Sequence, residues 1–359
     1  MGATGDLITK ERDPENLESP CSAFDPYLTP NHLFYVRNHF KAPHIELTRW
    51  RLRVEGAVER ACEFTYGDLL AMPSRTVIAT LECAGNSRTF LPEKSKGVQW
   101  HLGAVGNAEW TGVPLSLVLE QAGVQASAAE IVLQGADSGA IDEEPKTPGI
   151  IHFARSLPLD KALRPDVLLA YRMNGAELPR PHGFPVRAVV PGWYGMASVK
   201  WLQKILVSPR PFAGYYQSFE YSRWSNDGWS NDNAIPSLEP LGAGEVKAEI
   251  FRPSIDEVVK SNAAYRVYGA AWAGESEIST VAVSLDTGRS WNSAQLLDAP
   301  QAFCWVRWHC EWNTPVESKS VTLMARATDK DGRSQPLEHR SENRHYSVHH
   351  VLPIPVRVE

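Results

Sequence analysis

A change of pattern near residue 245 divides this sequence into two parts that must fold differently. Beyond it, short apolar segments follow one another, separated by tight turns such as Asp286-Thr287-Gly288, and helical periodicity is absent. Short strands at this spacing are typical of a β-sandwich of immunoglobulin type. We therefore predict strands over residues 265–271, 280–285, 302–312 and 321–327.

The part before residue 210 mixes strand and helix signals without regular alternation. Thr65 followed by Asp68 resembles a capping box and predicts a short helix. A second helix is predicted between Pro114, in its first turn, and Gly123, just past its end. The apolar segment 77–83 predicts a strand buried on both faces. This mixture favours the α+β class over a doubly wound sheet.

The length of 359 residues exceeds what one ordinary core supports, so two domains are expected. We predict an irregular, proline-rich N-terminal arm over residues 1–30 and a mixed α/β domain over 31–240. The immunoglobulin-like domain should then occupy 241–359. Residues 210–245, rich in Ser, Asn, Gly and aromatic residues, predict a long ordered connection between the two domains.

The charge balance excludes some partners and constrains others. The net charge of −6 gives no basic stripe for nucleic acid. No apolar run approaches the roughly 20 residues that a membrane span needs. The N-terminus lacks a signal pattern, so we expect a cytoplasmic protein, or a periplasmic one if a signal peptide has been removed. An anion site in so acidic a chain must be a local cluster of Arg and Lys.

The five cysteines include one in an unusual setting. Their odd number and the absence of a Cys-x-x-Cys pair argue against a disulfide scaffold, a zinc ribbon and a covalently attached haem. Cys83 ends an apolar strand and leads into Ala-Gly-Asn, where small residues let the backbone turn sharply and approach a ligand closely. A lone cysteine in such a strand is still more often a core residue.

Three other segments are rich in hydrogen-bond donors, and they favour the hypothesis that Cys83 binds a ligand. Residues 35–39 carry a cation, an amide and an imidazole, and residues 182–187 place a His and an Arg at the entrance of a strand. Residues 198–200 add a hydroxyl and a lysine. Together they predict a pocket suited to a phosphate and a polar heterocycle.

With their neighbours, these segments resemble the sulfite oxidase family of molybdopterin enzymes from about residue 25 to 330. The matching pieces fall in the family's order at close to its spacing. They are FYVRNH (34–39), ECAGN (82–86), GVQW (97–100), GAD (135–137), NG with PRPHGFPVR (174–187), VPGWYG with SVKWL (190–202), and VSLDTG with Trp291 (283–291).

The resemblance implies a role for each matching residue. Cys83 would be the protein ligand of molybdenum, and Arg37 and Arg88 would line the substrate pocket. Trp100 would form an aromatic wall, and Tyr221 would be an active-site tyrosine. The cofactor-binding positions would be Tyr35, Arg37, Asn38, His39, Cys83, Asp137, His182, Arg187, Ser198, Val199 and Lys200.

The resemblance further implies oxidation of sulfite to sulfate with one molybdopterin cofactor per chain. No haem domain and no flavin or nicotinamide fingerprint occurs in the sequence, so electrons would pass to oxygen or to a c-type cytochrome. The C-terminal domain would form a homodimer. Two positions depart from the family: Ser87 replaces an arginine, and Asn343-Arg344-His345 replaces an Asn-x-Arg-Gly pattern that supplies a third pocket arginine.

Alternatives remain open at this point. Within the same fold, the chain could be a nitrate reductase, a sulfoxide reductase or an enzyme that acts on carrier-bound sulfur. A non-catalytic binding module is the alternative from a different class. A zinc hydrolase is disfavoured because neither His-x-x-x-His nor Cys-x-x-Cys spacing occurs.

Overall fold

In the computed structural model, which describes residues 6–225 and 237–359, the chain begins with a β-hairpin. Strands β1 (Ile8–Arg12) and β2 (Glu15–Glu18) pair antiparallel. The prediction of an irregular arm over residues 1–30 is wrong for residues 8–18, which form this hairpin. The buried Glu18 carboxylate anchors the hairpin because its Oε1 accepts hydrogen bonds from the backbone N–H groups of His101 (2.7 Å) and Gly103 (2.8 Å).

The next part of the chain forms two five-stranded sheets and a separate two-stranded sheet, with short helices between the strands. Its elements are β3 (Leu52–Gly56), β4 (Cys62–Phe64), α1 (Tyr66–Ala71), β5 (Arg75–Glu82), β6 (Val105–Pro114), α2 (Leu115–Ala122), β7 (Glu130–Gly139), β8 (Ile151–Pro158), α3 (Leu159–Ala162), β9 (Leu168–Met173), β10 (Ala176–Glu177), β11 (Arg187–Val189), β12 (Leu202–Ser208), α4 (Tyr215–Ser218), β13 (Ser222–Trp224) and β14 (Leu238–Pro240).

The two five-stranded sheets have the strand orders β10-β9-β6-β5, with β11 also on β9, and β4-β3-β12-β7-β8, while β13 pairs with β14. Strand β12 runs parallel to β3, and the other pairings are antiparallel. The α+β prediction is confirmed. The capping box is present, since Thr65 Oγ1 accepts from Asp68 N–H at 3.1 Å, and Gly123 ends α2 at φ +70°.

The last part of the chain consists of two further sheets that share one hydrophobic core. Its strands are β15 (Lys247–Arg252), β16 (Val258–Val259), β17 (Ala264–Trp272), β18 (Ile278–Ser284), β19 (Asn292–Ser293), β20 (Gln295–Leu296), β21 (Val306–Asn313), β22 (Lys319–Asp329) and β23 (Ile354–Val358). They pair in the orders β15-β17-β21-β20 and β16-β23-β22-β18-β19. Val267 and Trp308 of one sheet pack with Val283 and Leu323 of the other, as a sandwich requires.

The connection predicted over residues 210–245 contains α4, β13 and β14, while residues 226–236 lie outside the described residues. Within the described residues, 6–225 and 237–359, no helix is long and apolar enough to cross a membrane. The loop after β5 lies where the mixed part meets the sandwich, because Thr80 N–H at one end of β5 binds Phe303 O and Ser347 N–H binds Ala84 O. This junction carries the candidate site.

Candidate active site

Cys83 follows β5 directly and is 6% exposed. Its N–H donates to Ala104 O at 2.9 Å, and its carbonyl accepts from Asn86 N–H at 2.8 Å, which closes a tight turn. A Cβ at Gly85 would lie 2.5 Å from Arg88 Nη2, so a larger residue there would displace the end of the Arg88 side chain. The small residues after Cys83 therefore let the Arg88 side chain fold back over the loop.

Two cavities meet at the Cys83 side chain. The inner one has a volume of about 630 Å³ and the outer, wider one about 1080 Å³. Both are lined by Cys83, Arg37, His39 and Tyr221. A ligand that fills the inner cavity and reaches Cys83 would thus face a second molecule that enters from the outer one.

The inner cavity is lined by side chains from several loops. The predicted residues on its wall are Tyr35, Arg37, His39, Cys83, Asp137, His182, Arg187, Ser198, Lys200 and Tyr221. Among its ionisable side chains, Arg37, Arg187 and Lys200 are basic and Asp137 is acidic. This balance, set in an acidic chain, suits a ligand that carries a phosphate.

Asp137 is the carboxylate on this wall, and its environment is strongly perturbed. Burial raises its pKa to about 7, although the nearby Lys200 opposes the shift. Its Oδ1 has no hydrogen-bond partner within the described residues, and a buried polar atom of this kind calls for a donor. An N–H group of a bound polar heterocycle would satisfy it, so the residues present fit a pterin cofactor.

His182 and Arg187 are fixed by backbone contacts. His182 Nε2 lies 3.1 Å from Asn31 O, and burial lowers its pKa to about 3, so the ring is neutral. Arg187 donates to His182 O (2.9 Å) and Ser198 O (2.8 Å), and its guanidinium lies 5.0 Å from the centre of the Trp110 ring. These contacts hold a buried cation rigidly at the inner cavity.

Three predicted residues support the walls from behind. Asn38 donates its N–H to Asn16 Oδ1 at 2.7 Å and accepts a hydrogen bond from Lys200 Nζ, so it orients that lysine. Trp100 is fully buried, with its ring edge-on to Tyr35 at 6.5 Å. Val199 is buried in the core of the mixed part.

The outer cavity holds the second arginine. Arg88 donates from Nη1 to Val98 O (2.7 Å) and from Nε to His345 O (3.1 Å). Its guanidinium lies 5.3 Å from the centre of the Tyr346 ring. With Arg37, it gives the deep end of this cavity two cations, while Lys96 and four carboxylates line it as well (Glu11, Asp142, Glu143 and Glu220).

Tyr221 and His39 form a pair between the cavities, with Oη and Nε2 2.5 Å apart. Burial and the neighbouring Arg37 hold the pKa of His39 well below its usual value, so the imidazole is neutral. Burial raises the pKa of Tyr221 to about 12, so the phenol keeps its proton. The pair therefore presents neutral hydrogen-bonding groups beside Cys83.

The C-terminal segment contributes two residues to the outer cavity, His345 and Tyr346, to which the sequence assigned no role. Arg344, the candidate for a third pocket arginine, donates to Phe219 O and Ser222 Oγ, each at 2.8 Å, and so fastens the connection between domains. His345 and Tyr346 line the outer cavity instead. In the family's Asn-x-Arg-Gly pattern the arginine stands two residues after the asparagine, and His345 occupies that position after Asn343 in this chain. Burial and Arg88 lower its pKa to about 4.

The described residues, 6–225 and 237–359, contain no group of three or more His, Cys, Asp or Glu side chains that could hold a metal ion. A metal at Cys83 would thus have one protein thiolate and would need further ligands from its own cofactor. Soft sulfur donors and a phosphate-bearing organic ligand are compatible with that arrangement.

Comparisons with known proteins agree with the geometry. Residues 39–216 match the oxidoreductase molybdopterin binding domain, and residues 242–348 match the Mo-co oxidoreductase dimerisation domain. Sulfite oxidase from Gallus gallus is 36% identical over 92% of this chain and 73% of that protein. Mitochondrial sulfite oxidase from Mus musculus is 34% identical over 92% of this chain but 61% of that protein, so the chain spans less than two thirds of it.

A solved structure shows the same architecture. The sulfane dehydrogenase SoxCD from Paracoccus pantotrophus superposes with a TM-score of 0.81 at 27% identity and covers 96% of this chain and 85% of that chain. Together with the sequence relatives, it confirms the resemblance stated above. The chain belongs to the sulfite oxidase family of molybdopterin-dependent oxidoreductases.

Proposed function

We propose that this chain binds a molybdenum cofactor through Cys83 and oxidises sulfite to sulfate. The observation that carries the proposal is the meeting of two cavities at the Cys83 thiol, with Arg37 and Arg88 beside it in the outer one. The relatives named sulfite oxidase support it. The balanced reaction converts sulfite and water into sulfate, two protons and two electrons.

The inner cavity would hold the cofactor. Arg187 and Lys200 would bind its phosphate, and the unpartnered Asp137 Oδ1 would accept a hydrogen bond from its heterocycle. Ser198 and His182 complete the polar wall. When bound, the cofactor accepts two electrons and supplies the oxygen-atom transfer that no amino-acid side chain provides.

The outer cavity would hold the substrate. Arg37 and Arg88 would bind the sulfite oxygens through charge-assisted hydrogen bonds, which are stronger than neutral ones. With His39 in the Nε2–H tautomer, its ring would donate to the Tyr221 oxygen, and the protonated phenol would be free to donate a third hydrogen bond to sulfite. These groups would hold the sulfur atom towards Cys83 and the metal.

A larger sulfur compound is a second candidate substrate. The outer cavity is walled by Tyr215, Tyr216 and Tyr346, which is more aromatic surface than sulfite needs. A carrier-bound sulfur group would use that surface. The similarity to a sulfane dehydrogenase supports this alternative.

The acceptor and the assembly complete the proposal. Electrons would pass to oxygen or to a c-type cytochrome, and the match to a dimerisation domain supports a homodimer formed through the sandwich. Neither haem nor flavin is needed for this reaction when an external acceptor is present.

A substrate panel on molybdenum-replete protein tests the proposal. We expect saturable sulfite oxidation with ferricyanide, and a slower rate for nitrate with reduced viologen. Oxygen and cytochrome c are then compared as acceptors. Nitrate reduction without sulfite oxidation would refute the proposal, and turnover of a persulfide-bearing peptide alone would favour the larger substrate.

A further inference from the structure

A buried ionic network lies directly behind the loop that carries Cys83. Strand β15 of the sandwich brings Lys247 and Glu249 against Glu82 and Ser87 of the mixed part. Lys247 and Glu249 are each 1% exposed. Charged side chains are almost never buried to this extent unless they are paired, so the network is a built feature of the domain junction.

The distances make the network continuous. Lys247 Nζ lies 2.8 Å from Glu82 Oε1 and 2.9 Å from Glu249 Oε1, and it donates to Ser87 Oγ at 2.9 Å. Ser87 Oγ in turn donates to Glu249 Oε1 at 2.7 Å. Trp272 Nε1 donates to Glu82 Oε2 at 2.9 Å, so a second sandwich residue fixes that carboxylate.

The network fixes the backbone of the loop at two consecutive residues. Asn86 Nδ2 donates to Glu249 Oε1 (3.0 Å) and Glu82 Oε1 (3.2 Å), while its Oδ1 accepts from Ala104 N–H (3.0 Å). Ser87 has a φ of +67°, a left-handed conformation that a non-glycine residue adopts only where its surroundings impose it. The Lys247 and Glu249 contacts to its hydroxyl are such surroundings.

Cys83 and Arg88 lie on either side of these two residues, and both line the outer cavity. We propose that Lys247 and Glu249 are positioning residues for this loop: acting through Ser87 and Asn86, the sandwich sets where the Cys83 thiol and the Arg88 guanidinium lie relative to each other. Correct placement of the Cys83 thiol and the Arg88 guanidinium would then depend on how the sandwich packs against the mixed part of the chain.

The competing explanation is that the network only stabilises the junction between the domains. The chain offers a matched control for that role. Lys161 of α3 is 5% exposed, donates to Pro191 O at 3.0 Å and pairs with Glu275 of the sandwich. It is a buried lysine that bridges the same two parts of the chain. Its hydrogen-bonded partners, Pro191 and Glu275, lie outside the Cys83 loop.

The test compares Ser87→Gly, Ser87→Ala and Glu249→Gln with Lys161→Met in molybdenum-loaded protein. Ser87→Gly removes the hydroxyl but tolerates the positive φ, so it folds even where Ser87→Ala does not. The measurements are KM and kcat for sulfite, melting temperature, molybdenum content and the Mo(V) electron paramagnetic resonance spectrum. KM and kcat rest on the proposed oxidation of sulfite, whereas the spectrum rests only on the binding of molybdenum.

We expect the Ser87 and Glu249 variants to retain molybdenum, to raise KM for sulfite about tenfold and to change the Mo(V) spectrum. Lys161→Met should lower the melting temperature but leave KM and the spectrum unchanged. Variants at Ser87 and Glu249 that match Lys161→Met in every readout would overturn the proposal. If the wild type fails to oxidise sulfite, the proposed function is wrong, and the spectra alone decide this inference.

Discussion

Replacing Arg88 with glutamine tests how the outer cavity binds an anion. Arg88 is 5% exposed, and its guanidinium is held by Val98 O, His345 O and the Tyr346 ring, so it is oriented before substrate arrives. Glutamine keeps a polar amide of shorter reach but loses the positive charge. The substitution therefore removes the contact to an oxyanion together with the guanidinium's contacts to Val98 O, His345 O and the Tyr346 ring.

The expected size follows from the burial of this group. A hydrogen bond between ionised groups contributes about 1.5–3 kcal/mol, and screening is weak at a site so little exposed to water. That free energy corresponds to a rise in KM for sulfite of roughly 10- to 150-fold. The molybdenum content should not change, because Arg88 lines the outer cavity and is absent from the wall of the inner one.

Steady-state kinetics with ferricyanide, at constant ionic strength, measure the effect. Lys96→Gln is the matched control, since Lys96 is a 43% exposed cation on the same cavity and should change KM only slightly and in a salt-dependent way. An unchanged KM in Arg88→Gln with full molybdenum content would remove Arg88 from the substrate site.

Further predictions concern the other groups at the junction of the cavities. Cys83→Ser should abolish turnover, because a hydroxyl is a poor replacement for a soft thiolate ligand; a fully active variant, measured at equal protein concentration, would end the ligand assignment. Tyr221→Phe should lower kcat by about tenfold through loss of one hydrogen bond, with the His39 ring left in place, and stopped-flow reduction by sulfite would show it. Asp137 has a pKa raised to about 7 by burial, so its contribution to the stability of the cofactor-free protein is present at low pH and is lost as the pH rises through about 7. Asp137→Asn should remove up to about 1.4 kcal/mol per pH unit of that dependence in denaturant titrations, and an identical pH profile in the two proteins would contradict the assignment.

Local signals predicted much of the fold and of the site. The helix at Thr65, the αL end at Gly123 and the sharp turn after Cys83 each depend on neighbouring residues, which the sequence displays directly. The inner-cavity residues could be predicted because they fall in an ordered set of motifs that resembles a family.

Contacts between distant parts of the chain could not be predicted in the same way. Lys247 and Glu249 would be read as surface charges, yet each is buried because its partners come from segments about 160 residues earlier. The hairpin β1–β2 has little apolar alternation and depends on the carboxylate of Glu18 rather than on a hydrophobic face. The family's Asn-x-Arg-Gly pattern suggested Arg344 as a candidate for the third pocket arginine, but the neighbouring His345 lines the cavity.

Cys83 would be the one protein ligand of the metal at the junction of the two cavities, and the proposed function depends on this role most directly. X-ray absorption spectroscopy at the molybdenum edge, on the wild type and Cys83→Ser with matched molybdenum content, measures this directly. We predict that the variant loses one sulfur ligand and keeps the sulfur ligands that the cofactor supplies. Identical sulfur coordination in the two proteins would contradict the central claim.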